Sequence, residues 1–110
     1  NYKLHLITNG FENTQWQKMR TSGIDHYFDA VITSESSNSL KPHNGIFQYA
    51  LQQTAATKEE SLMIGDALDI DVLGARNFGM DQVYFNPAQK SHNDTVTYEI
   101  NCLSELKEIL

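Results

Sequence analysis

Residues 62 to 71 read LMIGDALDID, which places three carboxylates, Asp66, Asp69 and Asp71, within six positions directly behind an apolar run. A carboxylate beside Gly65 at the end of a buried strand is partly desolvated, and it is costly there unless a metal ion or a base balances it. Hard oxygen donors in such a place suit Mg2+, which takes one or two carboxylates, several waters and substrate phosphate. Asp69 and Asp71 have a simpler use as well, as negative charge at the positive start of the following helix. Two other stretches could meet an anion. In ITNG (7 to 10), the Thr8 hydroxyl, the Asn9 backbone and Gly10 could hold an anionic oxygen, although the same residues also make an ordinary strand-to-helix turn. In SLKP (39 to 42), Lys41 could neutralise a phosphate or pair with a carboxylate, or stand in water as surface lysines do.

These residues depend on the elements that carry them. Short apolar, often β-branched runs alternate with stretches of helical period, the pattern of βαβ units and a parallel sheet. Strands are expected at Lys3 to Thr8, Ala30 to Thr33, Ser61 to Gly65 and Gln82 to Phe85, with a weaker one at Val96 to Ile100. A helix is expected from Asn13 to Ser22, ended by Gly23. Pro42 is expected in the first turn of a second helix, whose inner face carries Ile46, Phe47, Ala50, Leu51 and Thr54. Leu68, Val72, Ala75 and Phe78 recur at helical spacing up to Gly79, and a last helix, with Asn101 as its cap, carries Leu103, Leu106, Ile109 and Leu110. Asn86 to Thr95 is a polar loop. In open parallel sheets the ligand crevice lies beyond the carboxyl ends of the strands. On this reading a hydroxyl, a lysine and a carboxylate cluster follow successive strands at one sheet edge, the equipment of phosphoryl transfer, where catalysis is positioning and charge neutralisation.

Composition narrows the partners. At 110 residues and 40% hydrophobic, the chain has material for one core, so one domain or one piece of a domain is expected. Its net charge of -6 argues against binding a phosphate backbone, which needs clustered Lys and Arg, so nucleic acid is not expected as a partner. No apolar run approaches the ~20 residues of a membrane span. The single cysteine, Cys102, suits a reducing compartment, which makes the cytoplasm the expected location.

LITNG (6 to 10), LKP (40 to 42) and IGDALDIDVLGARNFGM (64 to 80) resemble motifs II, III and IV of the haloacid dehalogenase-like (HAD) superfamily of hydrolases. The resemblance covers the whole chain, and the fourth motif is its most specific part. It implies an α/β fold, a three-layer Rossmann-like parallel sheet, and Mg2+-dependent hydrolysis of a small phosphate ester through a phospho-aspartate. By the same resemblance Thr8 and the Asn9 backbone would bind the transferring phosphoryl group, with Gly10 completing the substrate-binding turn. Lys41 would bridge the phosphate and the nucleophilic carboxylate, Asp66 would bind Mg2+, and Asp71 would support the metal or Lys41. Asp69 matches no essential position. SGIDHYFDAVITSE (22 to 35) is similar to nucleotidase-like and phosphoglycolate phosphatase-like members.

One motif of the family has no counterpart. Motif I, Asp-x-Asp, supplies nucleophile and general acid from the end of the first strand, and only seven residues precede Thr8. In the family fold that strand lies centrally, between the strand ending at Thr8 and the one ending at Gly65. The chain is therefore expected to be the C-terminal part of a HAD core (1 to 110), with motif I and any cap domain upstream, or with a second chain completing the sheet. The alternative is a HAD-like binding or regulatory module without a nucleophile.

Overall fold

The computed structural model describes residues 2–110, which gather into two compact units, Asn1–Ala56 and Thr57–Leu110. In the first unit, strand β1 (His5–Thr8) runs parallel to β2 (Ala30–Thr33), with His5 opposite Ala30 and Thr8 opposite Thr33. The β-branched run Val31, Ile32, Thr33 is buried, as expected of a strand covered by helices. Helix α1 (Glu12–Ser22) buries Met19 and ends where expected: Gly23 takes the left-handed conformation (φ 73°), and its N–H donates to the Arg20 carbonyl at 3.1 Å.

Directly after β2 comes a one-turn helix, α2 (Ser34–Ser37), that the hydrophobic pattern does not announce. Its start is closed by a reciprocal cap. The Ser36 N–H donates to Thr33 Oγ1 (2.9 Å), and the Thr33 N–H donates to Ser36 Oγ (3.0 Å). Helix α3 (Asn44–Thr54) buries Ile46, Phe47 and Ala50, while Leu51 and Thr54 are half-buried. Pro42 is not in its first turn, contrary to expectation. It follows a cis Lys41–Pro42 bond in a tight turn that closes from the His43 N–H to the Leu40 carbonyl (2.8 Å), and the helix begins two residues later.

The second unit holds β3 (Leu62–Gly65), β4 (Asp81–Phe85) and β5 (Tyr98–Ile100), all parallel, in the order β3-β4-β5. Val72, Ala75, Val83, Tyr84 and Ile100 form the most buried part of its core. The helical spacing after the acidic cluster is realised in two pieces, a π-helical turn (Leu68–Val72) leading into α4 (Leu73–Phe78), which Gly79 ends with φ 98°. The last helix is shorter than expected, a 3-10 turn (Leu103–Glu105) followed by α5 (Leu106–Ile109), and Cys102 rather than Asn101 precedes it.

The loop 86–95 has an internal order that its polar sequence conceals. Asn86 is buried, its amide donates to the Lys90 carbonyl (2.9 Å) and to Glu99 Oε2 (3.0 Å), and His92 Nε2 meets Glu99 Oε1 at 2.7 Å. The five strands thus form a two-stranded and a three-stranded parallel sheet. β1 and β3, the strands expected to flank an absent one, each have a single hydrogen-bonded neighbour in their sheets. No helix among the described residues is long and apolar enough to cross a membrane.

Candidate functional site

The two units each carry part of the expected site. In the first, Thr8 is the last residue of β1, and its Oγ1 accepts from the Gly10 N–H at 3.2 Å. This small turn leaves the hydroxyl hydrogen available to donate to an anionic oxygen. It also engages the Gly10 N–H, so Gly10 contributes the shape of the turn and not a donor.

Asn9 and Lys41 are joined across 32 residues of sequence. The Lys41 N–H donates to Asn9 Oδ1 (2.8 Å), and Asn9 Nδ2 donates to the Lys41 carbonyl (3.3 Å). Lys41 then folds its side chain back so that Nζ donates to the Ile7 carbonyl at 3.1 Å, bringing the cation to the end of β1 beside Thr8. Ser34 fastens the same loop from the end of β2, its hydroxyl lying 3.0 Å from the Asn9 carbonyl and 3.4 Å from that of Gly10. Thr8, Asn9, Gly10 and Lys41 are therefore one cluster. The side-chain amide of Asn9 and the hydroxyl of Ser34 were not assigned these roles from sequence, because nothing local marks a bond to a partner 32 or 25 residues away.

In the second unit, Asp66 directly follows β3 and Asp71 lies in the π-helical turn. The two carboxylates differ sharply in environment. Asp66 is exposed and makes no hydrogen bond or ion pair among the described residues. Asp71 is buried, and its Oδ2 accepts from the Ala67 N–H at 3.3 Å. It packs so closely on the strand end that a Cβ built on Gly65 would lie 2.5 Å from both its Cβ and its Oδ2. Glycine at position 65 is thus the condition for Asp71 to turn inward. The π-helical turn sets this up, since one extra residue in a helical turn re-aims the side chains after it, and such turns are frequent at functional sites. Asp69, on the same turn, is exposed and belongs to its first residues, consistent with a helix-terminus role.

The donor set is compatible with Mg2+. Asp66 offers an exposed hard-oxygen ligand, and Asp71 a buried carboxylate held by the Ala67 N–H. No group of three or more His, Cys, Asp or Glu among the described residues forms a cage. Mg2+ needs no such cage, because it keeps waters and takes substrate oxygens as its remaining ligands.

The family profile of the haloacid dehalogenase-like hydrolases matches residues 1–85. The chain belongs to this family. Among curated HAD relatives, glyceraldehyde 3-phosphate phosphatase of Methanothermobacter thermautotrophicus is 38% identical over 99% of this chain and 51% of its own length. Pyrimidine 5'-nucleotidase YjjG of Escherichia coli is 33% identical over 100% of this chain and 50% of its own. Among solved HAD structures, a phosphatase from Thermococcus onnurineus superposes with a TM-score of 0.91 at 37% identity, covering 98% of this chain and 50% of that one. The HAD-hydrolase YfnB of Bacillus subtilis, solved with magnesium bound, gives 0.90 at 34% identity, with 98% and 48% covered. The α/β fold is therefore that of the HAD Rossmann-like structures, and the chain spans about half the length of the curated relatives it matches.

Proposed function

We propose that this chain is the C-terminal part of the core of a Mg2+-dependent HAD phosphohydrolase acting on a small phosphate ester. The names of its relatives support hydrolysis of phosphate esters, with sugar phosphates and nucleotides as the two substrate kinds represented. The observation that carries the reading is the Asn9–Lys41 clasp, which returns the Lys41 ammonium to the carboxyl end of β1, next to the Thr8 hydroxyl.

In this reading Thr8 donates to the phosphoryl group through its hydroxyl, and Lys41 neutralises charge that builds on the phosphoryl oxygens and on an attacking carboxylate. Asp66 would ligate Mg2+ and Asp71 would orient the carboxylate cluster from behind. Mg2+, when bound, supplies charge neutralisation at the phosphoryl oxygens. Motif I, with its nucleophile, is matched by none of the stretches 6–10, 40–42 and 64–80, which carry motifs II to IV. With no membrane or nucleic acid needed, the cytoplasm is the compartment this function implies.

The test is phosphate release by the whole protein from a panel of phosphate esters, with Mg2+ and again after chelation. Release that disappears on chelation, and that falls roughly 100-fold or more in Lys41→Ala, is the expected result. A whole protein that releases phosphate from no ester on the panel would instead favour a HAD-like binding module.

A further inference from the structure

β1 and β2 run in parallel register with Thr8 opposite Thr33, so the residues that follow them, Asn9 and Ser34, leave the sheet side by side. The reciprocal cap of Thr33 and Ser36 fixes the backbone at the start of α2 and so sets where the half-buried Ser34 side chain begins. From there the Ser34 hydroxyl donates to the Asn9 carbonyl at 3.0 Å.

The Asn9 carbonyl and the Gly10 N–H belong to one peptide group, and the Gly10 N–H donates to Thr8 Oγ1 at 3.2 Å. That planar group is therefore held at both ends, its oxygen by Ser34 and its N–H by Thr8. The Gln15 side-chain amide lies where a Cβ on Gly10 would stand, so α1 packs against the same turn. Hydrogen bonds linked through an amide polarise one another, and a donor on the carbonyl makes the N–H a stronger donor in turn. A hydroxyl oxygen that accepts along one direction has its own O–H confined to the remaining ones. Ser34 thus bears on the Thr8 hydroxyl through the peptide between them.

We infer that Ser34 is a positioning residue: through the Asn9–Gly10 peptide it fixes the direction in which the Thr8 hydroxyl donates, and so the hydrogen bond that Thr8 gives a phosphoryl oxygen. The inference rests on the phosphohydrolase reading above and adds to it a residue from the end of β2. A hydroxyl that merely fastened the loop would act whether or not residue 8 carried an oxygen, and this separates the two roles.

The experiment is a double-mutant cycle in the whole protein, Ser34→Ala and Thr8→Val alone and together, with Ser34→Thr as the variant that keeps a hydroxyl. Thr8→Val preserves the shape of the side chain and removes its oxygen. The readouts are the Gly10 amide proton resonance by NMR, calorimetric affinity for inorganic phosphate, and kcat/KM for the ester turned over fastest. Ser34→Ala should move the Gly10 resonance upfield and lower both phosphate affinity and kcat/KM about fivefold, the scale of one hydrogen bond, with recovery in Ser34→Thr. In the Thr8→Val background the same change should cost less than about twofold. A Gly10 resonance that stays in place, no recovery in Ser34→Thr, or a loss undiminished by Thr8→Val would overturn the inference, with the phosphohydrolase reading intact as long as esters are hydrolysed. A protein that hydrolyses no ester, yet whose phosphate affinity follows the expected pattern, keeps the role of Ser34 and removes the phosphohydrolase. Neither phosphate binding nor turnover removes both.

Discussion

Asn9 grips Lys41 by both edges of its side-chain amide, accepting from the Lys41 N–H at 2.8 Å and donating to the Lys41 carbonyl at 3.3 Å. The bonds go to the lysine's backbone, which fixes where its side chain starts, and Lys41 Nζ then reaches the Ile7 carbonyl. Asn9 is in this sense a positioning residue for a cation.

Asn9→Leu keeps the size of the side chain and removes both bonds. Because they are exposed, their loss is expected to cost only about 1 kcal/mol of stability, read from the denaturant midpoint. Turnover should suffer more, by at least about tenfold, and adding Asn9→Leu to Lys41→Ala should cost little further turnover. Fully additive losses would mean that Asn9 acts independently of Lys41.

Gly65→Ala places a methyl group 2.5 Å from Asp71 Cβ and Oδ2, against a buried side chain. Overpacking of this kind costs roughly 1–3 kcal/mol. A lowered Tm together with weakened dependence on Mg2+ is expected, since Asp71 must leave its place or β3 must shift. A variant with wild-type Tm and wild-type Mg2+ response would show that the strand end tolerates a Cβ.

Asp66→Ala should behave in the opposite way. The residue is exposed and without partners among the described residues, so stability should stay within about 0.5 kcal/mol of wild type. Metal binding by the whole protein, followed by calorimetric titration with Mg2+ or by the spectrum of bound Mn2+, should be lost along with activity. Retained affinity would remove Asp66 from the metal site.

Glu99 ties β5 to the loop 86–95. The hydrogen bonds from His92, first, and from Asn86 hold its carboxyl below the ordinary value of 4.5. A carboxyl whose pKa is depressed by folding contributes stability that is fully present above its unfolded value and is lost as pH falls through its folded value. Glu99→Gln should therefore destabilise the protein slightly at neutral pH, and the gap to wild type should close between pH ~4.5 and more acidic solution. Glu99 itself is exposed, so solvent screens the interaction and the gap is small. Urea midpoints measured at neutral pH and at about pH 3 check it, and a gap that widens in acid would contradict the assignment.

The order of the strands, and the placing of Thr8 and Asp66 at strand ends and of Lys41 just ahead of a helix, could be read from sequence because they rest on local rules. Apolar residues alternate or recur at helical spacing, and Gly23 and Gly79 end helices by adopting a left-handed backbone that side chains resist. Boundaries were less legible. Pro42 fits a first helical turn as well as a tight turn, and only the bond from the His43 N–H to Leu40 decides between them.

Tertiary structure alone decided what depends on side-chain direction across distance. It joined Asn9 to Lys41 over 32 residues, turned Asp71 inward over Gly65 while leaving Asp66 in water, and organised a polar loop around the buried amide of Asn86. The periodicity that announces a helix over residues 68 to 78 fits a π-helical turn at its start equally well, yet one extra residue there changes which carboxylate faces the core. Amino-acid types supplied the charges and hydroxyls. Their partners were set by the fold, since a hydrogen bond forms only where the backbone delivers both groups within about 3 Å of each other.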